Sequence, residues 1–216
     1  MNAAAADNRA PDEAGHVQLR RELVHEVRAL VVGLVETAPP DEALAELVAK
    51  ARDLNHEIAT FADSADGDGL LGQRWRYYSP FRGELNPLAP PIVITQVAAT
   101  DDPADGSATD VVVEGRVRVS GSGEGPPGAV HGGVLSGLFD EVLGAASAAS
   151  GGKSGVTARL EVRYRRPTPL NRDLVFCGWV TEDRGWRRTA TARCMVDGET
   201  TAQATALFVV PQAARP

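Results

Sequence analysis

One segment restricts the fold of this chain more than any other. Residues 132–149, GGVLSGLFDEVLGAASAA, place Val134, Leu135, Leu138, Phe139, Val142 and Leu143 among Gly137, Gly144, Ala145, Ala146 and Ala148. Apolar residues all round describe a helix buried on most sides. The rest of the chain beyond residue 72 reads as strands: Arg74–Tyr78, Ile92–Ala98, Thr109–Ser120, Gly155–Arg166, Asp173–Asp183, Trp186–Val196 and Thr200–Val210. Leu160, Val162 and Tyr164 alternate with Arg159, Glu161, Arg163 and Arg165, as half-buried strands do. Turns fall at Asn171-Arg172-Asp173, Asp183-Arg184-Gly185 and Asp197-Gly198, the last a strong two-residue hairpin signal. Short connections imply antiparallel neighbours. The expected class is α+β, a long antiparallel sheet wrapped around one central helix.

Charge divides the chain. Residues 1–70 hold 14 acids and 6 bases, a net of -8, while residues 71–216 hold 15 acids and 16 bases, a net of +1. The boundary is expected near DSADGDGLLG (63–72), giving a disordered tail over 1–15, a helical hairpin over 16–70 and a main domain over 71–212. The hairpin reading rests on Leu23, Val27, Leu30, Val31 and Leu34, a stop at Ala38-Pro39-Pro40, and then Leu44, Leu47, Ala51, Leu54, Ile58 and Phe61 at 3-4 spacing. An acidic segment supplies no basic recognition helix, so nucleic acid is excluded as a partner. No apolar run approaches the ~18 residues of a membrane span, and the start lacks a signal-peptide pattern. Two cysteines, Cys177 and Cys194, make neither a disulfide framework nor a metal site, and a cytoplasmic location is expected.

Chemistry concentrates between residues 121 and 144. Gly123-Glu124-Gly125-Pro126-Pro127-Gly128 is formally GxGxxG, but its prolines delete amides that a pyrophosphate would need. His131-Gly132-Gly133 follows at the helix start, and Asp140 and Glu141 are expected to be buried mid-helix. Amides at a helix N-terminus stabilise a carbonyl oxygen that turns negative in a tetrahedral transition state. A carboxylate in an apolar helix is costly unless paired or functional, and Asp140 has the chemistry of a general base or a nucleophile. Asp140 lies seven residues beyond Gly133, about 10 Å along a helix axis, whereas a carbonyl and its attacking water span only ~3 Å. A working pair therefore needs two antiparallel helices from two subunits, which predicts a two-fold homodimer.

His-Gly-Gly, an Asp nine residues after the His, and GVTARLEVRYRRPTPLNRDL (155–174) together resemble the hotdog-fold acyl-CoA thioesterases, in their phenylacetate-pathway-like and human thioesterase-superfamily branch. The resemblance covers roughly residues 75–210 and implies a hotdog fold that hydrolyses acyl-CoA to free acid and coenzyme A. It implies no metal and no cofactor, coenzyme A being part of the substrate. By position, Gly132 and Gly133 resemble the oxyanion-hole amides, His131 the residue orienting the thioester, and Asp140 the base or nucleophile. Thr157 matches the supporting hydroxyl, with an ordinary strand threonine as the other reading. Some relatives carry a water-holding Asn before the HGG; here Glu124 takes that role or it is lost. Glu141 is the reserve carboxylate.

Arginine forks suit the phosphates of coenzyme A. Arg163, Arg165 and Arg166, and the Trp186-Arg187-Arg188 run, are the candidates for binding them, with Trp186 either stacking on adenine or packing across strands. Residues 153–216 hold 11 bases and 6 acids, a net of +5, where an anionic coenzyme would need it. Small residues at Gly137, Gly144 and Ala148 suggest room for an aliphatic or aryl acyl group. A non-catalytic acyl-CoA-binding or regulatory module is the competing reading, and pairing of dimers is left open. A hotdog hydratase would need a paired Asp/His motif that the sequence lacks.

Overall fold

The computed structural model describes residues 11–61, 77–98, 111–151 and 155–211. The expected boundary at 63–72 and most of the expected tail lie outside these. The chain forms two compact units, one holding the N-terminal helices, the chain up to Ser79 and Gly83–Pro87, the other holding Pro80–Arg82 and everything from Leu88 onward.

In the first unit α1 runs Pro11–Glu36 and α2 runs Asp41–Ala59, separated by the expected proline stop. Helix α1 begins six residues before the expected Val17. It buries Val17 and Val24 and reaches later chain through arginines. Arg20 donates to Tyr78 Oη at 3.0 Å, Arg21 forks Glu84, and Arg28 donates to the Asn86 carbonyl at 2.8 Å. Asp41 and Glu42 stand in the first turn of α2, where its dipole favours anions. No residue of α2 is buried, and Leu44, Val48, Leu54 and Ile58 stay exposed. Tyr77 and Tyr78 are helical rather than the end of a strand, a correction to the reading of 74–78, of which 74–76 lie outside the described residues.

The second unit is a six-stranded antiparallel sheet ordered β1-β2-β4-β5-β6-β3, with helix α3 (Gly132–Ala149) touching every strand. The strands are β1 Val93–Ala98, β2 Val111–Arg118, β3 Val156–Tyr164, β4 Asp173–Asp183, β5 Arg187–Val196 and β6 Glu199–Val209. This is the hotdog fold. The β5–β6 turn has Asp197 and Gly198 at φ 50° and 82°, the positive pair that a two-residue hairpin matching strand twist requires.

Leu135, Leu138, Phe139, Val142, Leu143 and Ala146 face the sheet, where Ala190, Ala192, Ala202, Ala204 and Ala206 are buried. Alanines on the sheet let α3 approach closely, which is how a core so poor in aromatics still fills its space. Phe139 and Phe176 meet edge to face at 5.0 Å. Burial is one-sided. Gly133, Ser136, Gly137, Asp140, Glu141 and Ala148 all keep solvent access, so the helix is not buried on most sides within this chain.

Candidate active site

The site begins where β-structure hands over to α3. The GEGPPG loop folds back on itself as Glu124 pairs with Val130, and Glu124 Oε1 accepts the Gly128 N–H at 2.6 Å. That bond gives Glu124 a local role, closing the loop, and the helix starts only at Gly132, so no phosphate-cradling turn forms. His131 is the N-cap. Its Nδ1 accepts the Gly133 N–H at 2.9 Å, which puts the proton of a neutral ring on Nε2. The Gly132 N–H, at the first helical position, has no acceptor among the described residues. Of the two expected oxyanion amides, the structure leaves Gly132 open and engages Gly133 with the histidine expected to orient the substrate.

Tyr164, at the end of β3, covers the same turn. Its hydroxyl donates to the Gly132 carbonyl at 2.7 Å and lies 2.8 Å from Ser136 Oγ. Sequence reasoning missed both residues; the one available signal was the alternation that puts Tyr164 on the same face as Leu160 and Val162.

Asp140 is half-buried on α3, and Thr157 Oγ1 donates to its Oδ1 at 2.8 Å. A backbone irregularity makes this contact. Thr157 pairs with Phe208, but Arg159 pairs with the very next residue, Leu207, so Ala158 is extra and β3 bulges. Strict alternation would put Thr157 with Arg159, Glu161 and Arg163 on the face away from α3. The bulge shifts it to the face of Phe208 and the core, under Asp140. Glu141 is also half-buried, and its Oε2 is 3.2 Å from Arg82 Nε, an ion pair inside this unit.

The open amide and the carboxylate do not meet. Eight residues separate Gly132 from Asp140, about 12 Å along the axis. Strand β3 touches α3 at both places, through Tyr164 near the amide and Thr157 near the carboxylate. Within one chain the open amide and the carboxylate therefore stay apart. Strand β3 is also a sheet edge, with Val156, Arg159, Glu161, Arg163 and Tyr164 exposed along it.

The expected coenzyme ligands are dispersed. Arg163 is on the sheet face away from α3, Arg165 forks Gln203 Oε1 at 2.7 and 3.1 Å, and Arg166 pairs with Glu199. Trp186, 45% exposed, and Arg187 line a small recess with Ser147 and Phe208 at the opposite end of α3. Arg188 does not face solvent. It is 5% exposed, its Nε donates to Asp183 at 2.8 Å and Nη1 to the Ser147 carbonyl at 3.1 Å, so it ties the last turn of α3 to the sheet. The Arg188 guanidinium holds the Asp183 carboxyl below its usual range, chiefly by that hydrogen bond. Room at Gly137 is also taken: a Cβ there would fall 2.3 Å from the Phe81 ring. Among the described residues no cluster of three His, Cys, Asp or Glu side chains is placed to hold a metal, and no helix is long and apolar enough to cross a membrane.

Comparison with known proteins bears on the family and the fold. The thioesterase superfamily model matches residues 127–204, from the loop before His131 into β6. A thioesterase superfamily protein of known crystal structure is 31% identical, with TM-score 0.71, over 88% of this chain and 94% of its own. That share exceeds what residues 71–212 alone would supply, so the likeness runs into the N-terminal helical region. Zebrafish thioesterase superfamily member 2 matches 64% of this chain and 92% of its own at 18% identity and TM-score 0.50, a likeness of fold. The chain belongs to the thioesterase superfamily.

Proposed function

We propose that the protein hydrolyses acyl-CoA thioesters to the free acid and coenzyme A, at two equivalent sites built across a homodimer. The observation that carries this reading is the pairing of Asp140 with Thr157 by a bulge on one stretch of β3, while the unspent Gly132 amide stands a helix half-length away. A two-fold axis beside α3 and the exposed β3 edge brings one chain's Gly132 to the other's Asp140. The thioester carbonyl oxygen then accepts from Gly132 N–H, and the developing negative charge is met by an amide in the positive end of the helix dipole. Asp140, held by Thr157, takes a proton from water as that water attacks the carbonyl carbon. The C–S bond breaks as the tetrahedral species collapses, and the thiolate leaves with coenzyme A. The basic surface beyond residue 153 draws the phosphates, through Arg163 and Arg165 at one end and Arg187 at the other, where Trp186 offers its indole to the adenine.

Thiol release from a panel of acyl-CoAs tests the reading, with Asp140→Asn beside the native protein. Turnover that falls by orders of magnitude in the variant while binding persists is expected. Binding of acyl-CoA without turnover on any chain length would leave the non-catalytic acyl-CoA module in its place. Sedimentation tests the dimer separately, since a strictly monomeric active protein contradicts a shared site.

A further inference from the structure

We propose that Phe81 is the specificity residue of this site, its ring closing the acyl pocket beside Asp140 and restricting the enzyme to short or compact acyl groups. The proposal rests on Asp140 being the reacting carboxylate. Pro80–Arg82 belong to the same compact unit as α3, although the residues on either side do not. The face of the Phe81 ring lies against the helix at Gly137, where an added Cβ would stand 2.3 Å from both Cε1 and Cζ and 2.5 Å from Cδ1. Gly137 is one turn before Asp140, so the two positions are surface neighbours about 5–6 Å apart at Cβ. The next residue of the loop, Arg82, pairs with Glu141 at 3.2 Å, immediately after Asp140. Two consecutive loop residues thus straddle the turn of α3 that carries the carboxylate, one apolar and one anchoring.

A thioester carbon must sit within about 3 Å of the water on Asp140. An acyl chain leaving that carbon along the open face of α3 toward its N-terminus meets the ring within a few carbons. Among the side chains that the described contacts place on this turn, Thr157, Arg82 and Glu141 are polar, and Phe81 is the large apolar surface. The contact of the ring with Gly137 and the neighbouring ion pair of Arg82 with Glu141 hold Phe81 against this turn as a wall. The space that glycine leaves on the helix is filled by this ring, not by substrate.

The test measures dissociation constants of S-alkyl-CoA thioethers by calorimetry, on the native protein and on Phe81→Ala, with thiol release from the matching thioesters alongside. Chains run from about two to about twelve carbons, and each buried methylene should tighten binding about fourfold until the chain reaches the wall. In Phe81→Ala that break is expected several carbons later, and the preferred thioester lengthens with it. Phe81→Leu, which keeps an apolar side chain, should shift the break less and serves if the alanine variant does not fold. An unchanged break in either folded variant overturns the assignment of Phe81, whatever the turnover. A break that moves without any thiol release overturns hydrolysis while leaving Phe81 as the pocket wall. Absence of binding and of turnover refutes both.

Discussion

Mixing two inactive variants tests the shared site most directly. Gly132→Pro deletes one hydrogen-bond donor at a position where the helix tolerates its loss. Position 132 is the first of the helix, where proline's fixed φ and missing N–H are tolerated. His131, at φ -60° and ψ 134°, already has the extended backbone that a following proline demands. A Cβ at 132 lies 3.1 Å from Tyr164 Oη, so Gly132→Ala, which crowds the tyrosine equally but keeps the N–H, is the matched control. Loss of one oxyanion donor costs about 10²–10³ in kcat, and Asp140→Asn removes the base. About 12 Å of helix separates the two groups, four times what a carbonyl and its water span. In a mixed dimer of Gly132→Pro and Asp140→Asn chains, one site then carries both lesions and the other neither. Random pairing makes half the dimers mixed, so an equimolar mixture refolded together should recover about a quarter of native activity. The assay is thiol release before and after co-refolding. A mixture no more active than its parents would refute the two-chain site.

Three further outcomes follow from the contacts. Thr157→Val should lower kcat about tenfold or more at nearly unchanged KM, since a hydrogen bond to a charged group contributes about 1.5–3 kcal/mol, and Thr157→Ser should restore it; equal kcat in all three would remove Thr157 from the mechanism. Asp183 has a folded pKa below its unfolded one, so its contribution with Arg188 is present at neutral pH and is lost as pH falls through the folded value, below about 4. Urea unfolding of Arg188→Met should therefore show lower stability at pH 7 and a shallower loss on acidification than the native protein, and parallel pH profiles would contradict the pairing. Burial pushes the Cys194 thiol up to about 12, whereas Cys177 is half-exposed. One fast thiol is expected with a disulfide reagent at pH 8 and two after denaturation, and stability should erode above about pH 9, where only the unfolded thiol ionises; two fast thiols in the native protein would count against this burial.

What local pattern governs was legible in advance. The start and length of α3 follow from capping and apolar spacing between His131 and Ala149, and Asp197-Gly198 announces its turn because few residues accept positive φ. One apolar helix among alternating strands implied a sheet wrapped around that helix, and the resemblance carried by His131-Gly132-Gly133, Asp140 and residues 155–174 implied the hotdog fold. Where reading failed, it failed on contacts between distant residues. Glu141 pairs with Arg82 and the Gly137 gap is filled by Phe81, both some 55–60 positions earlier in the chain, too far apart for any periodicity to connect. Arg188 looks like its solvent-exposed neighbours in sequence, and only the packing of β5 under the end of α3 buries it.

Thr157 marks the division most clearly. Sequence alone determined that a hydroxyl residue opens β3 and that a carboxylate lies nine residues after His131 on a helix, because residue type and helical period are local properties. Alternation with period two would have turned that hydroxyl away from Asp140. Tertiary structure decided otherwise by inserting Ala158 as a bulge against β6, which reverses the facing of everything before it and puts Thr157 beneath the helix. The same strand leaves the Gly132 amide beside Tyr164 and the carboxylate beside Thr157, apart within one chain. Helical rise sets that separation, and it is the physical reason the proposed site takes in a second chain.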